Sequence, residues 1–438
     1  MILPKNEKII IVGAGCFGVS TAYHLLQRGY TDITIIDRSP TLPAPDAASN
    51  DLNRIVRSSY SDRFYTELAR EAISSWKDHA KWGDTYRESG VLVLGSSESG
   101  ETYADESYKN DVALGALVEP LNDSDAIRAV FPAGTPTAPF AGCAGYLNRS
   151  GGWADAGQGM TLLLNEVKAL NGKVLPGMNV IKILRKDGQT IGVQCSDGTV
   201  LDAALVVLAA GSWTPSAFPE LDLGRICLAT GQCVAMVQLS RKEAEIYKDC
   251  PVVLDFSSGF YIFPPNEADI VKMAIHSAGY TYFDEANGHR MISTPRTLTS
   301  DPVRGLFIPK SVVRDLRMHL KNVYPDLAEK PFSGTRLCWY NDSPDGDWVI
   351  GHYPKDESLI IATAGSGHAY KFLPVIGRLV ADLVEEKLES ELITKFAVER
   401  KPIMPDPSRT GQVKNLDLYQ LCTPEDLMIP NVVSGQSR

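Results

Sequence analysis

The run Gly13-Ala14-Gly15-Cys16-Phe17-Gly18 has the spacing of a phosphate cradle. Glycines let a pyrophosphate approach the backbone, and a helix opening there presents amides and a dipole to the anion. Asp37 stands at the end of the next apolar run. A carboxylate there accepts from a ribose 2′-hydroxyl and disfavours a 2′-phosphate. The bland alternative is a tight turn that holds nothing. The motif does not choose between FAD and NAD. Its place near residue 1 and the turn Ala209-Ala210-Gly211-Ser212-Trp213 lean toward FAD.

Other residues have types that invite chemistry. Lys272 and His276 lie in Ile270-Val271-Lys272-Met273-Ala274-Ile275-His276, where strand alternation puts both on one face. A lysine in an apolar strand is costly unless it is exposed or has work to do. An edge-strand lysine guarding against aggregation and a satisfied structural histidine stay open. Arg54 and Arg57 follow the cluster Ser49-Asn50-Asp51. That cluster reads as a helix cap, and the spacing of three puts both arginines on one helical face, solvated or functional. Lys371 falls in the first turn expected after Gly365-Ser366-Gly367-His368. The helix dipole disfavours a cation there, so the position asks for a functional reason or for a snorkelling side chain. Cys338 lies between Leu337 and Trp339 and reads, on type alone, as a small buried hydrophobe.

The elements that must position these residues follow from periodicity. Lys8 to Val12 is a short β-branched run, hence a buried strand. Val19 to Arg28 has Ala22, Leu25 and Leu26 on one face and Gly29 as a stop, hence a helix. Ile33 to Asp37 is a second strand, which completes a β-α-β unit of about 30 residues. Leu205 to Ala210 and Leu359 to Ala364 are further buried strands. The second runs into a long helix with Leu373, Ile376, Leu379, Val380 and Leu383 at helical spacing. Residues 86–150 mix short strands and acidic helices, and 225–300 are mostly strands. Nucleotide-type strands therefore occur at both ends and in the middle. The expected fold is α/β, with a Rossmann-like dinucleotide domain (1–85, 150–222 and 336–390). A mixed substrate domain is threaded through it (86–149 and 223–335), and a polar tail (391–438) wraps the whole.

Composition excludes several classes. The 438 residues carry 43 basic and 53 acidic side chains, a net charge of −10, and no basic stripe with interleaved aromatics, so nucleic acid is not an expected partner. No apolar stretch reaches the ~18 residues of a membrane span. The eight cysteines include no CxxC pair and no His/Cys cluster, so no metal site is expected. No signal peptide is read at the start. The expectation is reduced thiols in a cytoplasmic protein, with sequons at Asn122, Asn148 and Asn341 as chance matches. The end, Ser434-Gly435-Gln436-Ser437-Arg438, is not the usual peroxisomal tripeptide, and a peroxisomal location stays open.

Five motifs in order resemble the monomeric sarcosine oxidase family, which includes fungal saccharopine, pipecolate and fructosyl amino acid oxidases. They are Gly13–Gly18, Asn53-Arg54-Ile55-Val56-Arg57, Ala209–Trp213, Arg336-Leu337-Cys338-Trp339-Tyr340, and Gly365-Ser366-Gly367-His368-Ala369-Tyr370-Lys371-Phe372. The resemblance spans Ile9 to about Leu383. It implies FAD bound covalently through Cys338 to the flavin 8α carbon, with Gly13, Ala14, Gly15, Cys16, Phe17, Gly18, Asp37, Arg38, Ser49, Asn53, Arg54, Val180, Gly211, Trp213, Ser366, Gly367, His368 and Lys371 around the cofactor. It implies Lys272, His276, Arg54 and Tyr340 as catalytic residues, with Lys272 promoting oxygen reduction. Arg57, Lys371 and Tyr340 are implied at the substrate, the first two clamping its carboxylate. The implied activity is oxidation of the C–N bond of a secondary or imino amino acid to an imine, with O2 as acceptor and H2O2 as product, by a monomer. The implied substrate is saccharopine-, pipecolate- or N-methyl amino acid-like: Arg54 and Tyr340 depart from the lysine and cysteine usual in the sugar-amine branch, and with the run Asp255-Phe256-Ser257-Ser258-Gly259-Phe260-Tyr261-Ile262-Phe263-Pro264-Pro265 they look most like the saccharopine-oxidase branch. A fructosyl amino acid oxidase and a biosynthetic oxidase whose imine cyclises remain alternatives. So do an FAD dehydrogenase with another acceptor and a nicotinamide dehydrogenase.

Overall fold

The computed structural model describes residues 3–96, 99–283, 292–401, 404–409 and 411–428. The terminal residues 434–438 weighed above for targeting lie outside this set. A mixed α/β fold is observed, built on two large sheets with two small ones between and beside them.

The first sheet has six strands. Strand β1 (Ile9–Val12) sits centrally and pairs in parallel with β2 (Ile33–Asp37) on one side and Leu205–Leu208 on the other. Lys173–Pro176 extends it past β2, and Asp356–Thr363 and Val349–Tyr353 complete the far side. A central parallel strand is covered on both faces, which is why β1 reads as an unbroken apolar run. Helix α1 (Cys16–Gln27) covers one face. It begins at the glycine turn itself, three residues earlier than its apolar periodicity suggests.

The second sheet holds the long strand Leu228–Gln238. Gly334–Asp342 pairs with it antiparallel along nearly its whole length, placing Cys338 opposite Gln232 and Tyr340 opposite Thr230. On its other side Ile270–Ile275 places Lys272 opposite Met236. Phe260–Ile262 comes next, with Tyr261 opposite Ala274. Directly opposed residues share a sheet face. Lys272, Cys338, Tyr340 and Tyr261 therefore project from the same face. The alternate residues Leu337, Trp339, Val271 and Met273 face the other way, into a core closed by the helix Lys310–Lys321.

Three expectations differ. Arg54 does not start a helical turn: Arg54–Val56 is strand β3, paired antiparallel with Gly152–Ala154. Ile55 and Val56 favour the extended form, and Asp51, expected to cap, spends its carboxylate on Arg54 and Lys272 instead. The helix after Gly365 is also interrupted. Residues Tyr370–Phe372 form a short 3₁₀ turn, and the α-helix runs only over Ile376–Val384. Lys371 is thus on a tight turn rather than in the first turn of a long helix. Lys272 is not on an edge, because its strand has neighbours on both sides, and it is fully buried.

All eight cysteines are free thiols. Asn148 and Asn341 are buried, so neither sequon is open to a glycan. No helix among the described residues is long and apolar enough to cross a membrane.

Candidate active site

Two cavities meet between the sheets. The first, about 750 Å³, runs along the glycine turn. It is lined by Gly13, Gly15, Cys16 and Phe17, by Asp37 and Arg38, by Ser49 and Val180, and by Gly211 and Trp213. Ser366 and Gly367 lie at its inner end with Arg54 and Tyr340. The glycines are required by close approach. A Cβ on Gly13 would stand 2.3 Å from the Ala209 carbonyl oxygen, and one on Gly18 1.9 Å from that of Gly13. Asp37 Oδ2 accepts from Ala14 N at 2.8 Å and Oδ1 from Ser39 N at 2.8 Å. The Arg38 guanidinium stacks 3.9 Å from the Trp213 ring centre. Next in sequence to the lining residue Arg54, the side chain of Asn53 is fully buried, and neither its Oδ1 nor its Nδ2 has a partner. Buried amides are rarely left so. A cradle with a bared glycine turn and a stacked cation fits a dinucleotide.

The second cavity, about 870 Å³, shares Arg54, Tyr340, Gly367 and Tyr370 with the first. Its other walls carry Arg57, Tyr60, His276, His368 and Lys371. Gly367 has φ +74°, and a Cβ there would meet the Tyr340 ring at 2.5 Å. The backbone is therefore drawn tight where the cavities join.

The buried charges form two groups. In one, Asp51 sits among Arg54, Lys272 at 3.0 Å and Arg336 at 3.6 Å. Burial pushes the Asp51 carboxyl up, but the three cations outweigh it and hold it well below the usual range. Lys272 Nζ also donates to Asn53 O at 2.6 Å. Burial lowers its pKa to about 7, with Asp51 opposing. Arg54 Nη2 donates to Ala48 O at 2.7 Å and contacts Cys338 Sγ at 3.3 Å. Cys338 is buried against Tyr340, Val234 and Ala274.

The second group lines the second cavity. Lys371 Nζ donates to Tyr60 Oη at 2.7 Å and to His368 O at 3.0 Å. Burial first, then Arg57, push its pKa well below the ordinary lysine value. The Arg57 guanidinium lies 4.6 Å from the Tyr60 ring centre and 5.1 Å from that of Phe256. Among the described residues, neither Arg57 nor Lys371 forms an ion pair with a carboxylate. Arg57 Nη1 donates to Ser59 O; two buried basic side chains on one cavity wall, neither ion-paired, suit a substrate anion. His276 Nε2 lies 3.1 Å from Ser408 Oγ, and burial with Arg409, Arg57 and Lys371 keeps it neutral. His368 bridges Tyr60 Oη at 3.1 Å and Gly346 O at 3.0 Å. Burial and Lys371 lower its pKa to about 3.

Comparison with known proteins agrees with the cradle. The family model described as FAD dependent oxidoreductase matches residues 8–383. The chain belongs to this family. It is 31% identical to L-saccharopine oxidase of Schizosaccharomyces pombe, over 88% of this chain and 92% of that protein. It is 26% identical to human peroxisomal sarcosine oxidase, over 90% and 96% of the two. Among solved structures, fructosyl peptide oxidase from E. terrenum superposes with a TM-score of 0.85 at 27% identity, covering 96% and 98% of the two chains. The protein is an FAD-dependent oxidoreductase.

The cations that meet here are legible in the sequence; what holds them is not. Asp51 suits a helix cap on type, and its place three residues before Arg54 is the signal for the ion pair instead. Tyr60 and Tyr103 carry no such signal, and Phe256 carries only its place in the run 255–265. The tail residues Asp406 and Ser408 line the second cavity, Ser408 against His276, and Arg409 ties the tail to Asp342 from 67 residues away.

Proposed function

We propose that this flavoenzyme oxidises the C–N bond of a secondary or imino amino acid, with O2 as acceptor. The carrying observation is the pair Arg57 and Lys371, without an ion-pair partner among the described residues, on the walls of the cavity that shares Arg54 and Tyr340 with the first. Bound FAD would accept a hydride equivalent from the amine and return the electrons to O2, yielding an imine and H2O2. Arg57 and Lys371 would bind the substrate carboxylate, the guanidinium as a fork and the ammonium as a point charge. Tyr60 holds Lys371 in place. His276 and His368, both kept neutral, add no competing cation. Lys272, pinned by Asp51 and Asn53, would put a buried cation beside the junction, where it favours the build-up of negative charge on oxygen. Cys338 is the residue for a covalent link to the cofactor, with Arg54 at its sulfur. The names of the saccharopine and sarcosine oxidases support the amine class. The domain division given above, with the first cavity in a discontinuous nucleotide domain, is part of this proposal, as are action as a monomer and a cytosolic place.

Acid precipitation of the purified protein tests the cofactor half. Yellow colour should stay with the pellet, and Cys338→Ala should release it. Wild-type colour in the supernatant rejects the link, and no colour rejects the flavoenzyme. A peroxide-coupled screen of secondary amino acids tests the rest.

A further inference from the structure

We infer that the second cavity selects a secondary amino acid with one carboxylate and an aromatic side chain; this rests on the amine-oxidase reading above. Two independent features of the cavity carry it.

The first is its charge. Beyond Arg57 and Lys371, the buried cations of its walls are already committed. Arg54 is paired with Asp51, Lys395 with Asp62 at 2.8 Å and Asp347 at 3.0 Å, and Arg400 with Asp345 at 2.7 Å. Lys401 lies exposed at the rim. The outer wall also carries Glu391, Glu399 and Asp406. One substrate carboxylate therefore has buried partners. A second would be desolvated beside carboxylates, with no buried cation to meet it. A dicarboxylate or tricarboxylate amine such as saccharopine is a poor fit.

The second feature is the apolar wall. Tyr103 and Phe256 pack with ring centres 4.4 Å apart. Phe256 also lies under the Arg57 guanidinium. Tyr261 and Phe263 meet edge to face at 5.8 Å on the neighbouring strand and turn. All four line the cavity, with Tyr60 and Tyr340 completing the box. A side chain held by its carboxylate at Arg57 must extend along these rings. Aromatic rings prefer such partners, in offset or edge-to-face contact. A bare methyl group would leave them uncovered.

The test uses the holoenzyme. Peroxide release should favour N-methyl-L-phenylalanine over L-saccharopine by about a hundredfold or more in kcat/KM. The inert monoanion 3-phenylpropanoate should bind, by calorimetry, at least about tenfold tighter than the dianion glutarate. Phe256→Ala should raise KM for N-methyl-L-phenylalanine at least about tenfold more than it raises KM for sarcosine, because both amines use Arg57 but only the first has a ring to lose. Phe256→Leu, which keeps most of the volume, guards against a folding defect and should show the same selectivity loss. A preference for saccharopine or glutarate overturns the inference. So does an equal change for both amines in the two variants. Tight 3-phenylpropanoate binding with no secondary amine oxidised would instead overturn the amine-oxidase reading and support the cavity's preference.

Discussion

Single side chains set the chemistry, and their burial sets its pH dependence. Lys371→Met should raise the substrate KM at least about tenfold, because it deletes one of two buried cations facing a carboxylate. An unchanged KM rejects the clamp. The Lys371 ammonium is already weakened by burial and by Arg57, so in wild type KM should rise as pH rises and the ammonium is lost. Lys272 is the separate case. Its pKa is lowered to about 7, so the protonated form exists below that value and is lost above it. The oxygen-consuming half-reaction should therefore slow as pH rises through about 7. Lys272→Met should slow it about a hundredfold and leave anaerobic bleaching by substrate within about threefold. Equal loss in both half-reactions would reject this role. The sign for stability is opposite. The folded pKa lies below the unfolded value of ~10.4, so the unfolded chain holds more protons between the two, and this group's contribution to stability rises with pH there.

Secondary-structure elements bring these side chains together, and here the sequence is only partly legible. The β1-α1-β2 unit is plain, because burial on both faces leaves an apolar run and close approach leaves glycines. The common face of Lys272 and His276 follows from alternation alone. That Cys338 and Tyr340 share the face of Lys272 requires the register of three strands, which local pattern does not carry. The arginine pair shows the converse error: a spacing of three suits a helix, yet β-branched Ile55 and Val56 and pairing with Gly152–Ala154 make it a strand. Packing of elements gives its own prediction. In the helix Ile376–Val384, a Cβ on Gly377 would come 2.1 Å from the backbone carbon of Ser20 in α1. Gly377→Ala should force these helices apart and destabilise the fold by about 3 kcal/mol or more, seen as a lower denaturant midpoint. A midpoint equal to wild type would show that the helices can shift freely.

At the scale of the whole molecule, the chain end returns to the junction of the two sheets. Residues 404–408 line the second cavity. Arg409 then forms a buried bidentate pair with Asp342, at the end of the strand that carries Cys338 and Tyr340. Its guanidinium also lies 5.7 Å from the Tyr340 ring centre. Burial pushes the Asp342 carboxyl up despite that partner, so removing the arginine strands a costly anion. Arg409→Ala should cost about 3–5 kcal/mol locally. The expected result is release of the tail, with faster tryptic cleavage after Arg400 and a higher substrate KM through the opened wall. Adding Asp342→Asn removes the stranded charge. If uncompensated charge is the cause, the double variant should recover part of the tail's protection; if packing of Arg409 against Tyr340 is the cause, it should not. Unchanged cleavage in Arg409→Ala would show that the rest of the tail, through Ser408 at His276 and Arg400 at Asp345, is enough to hold the wall closed.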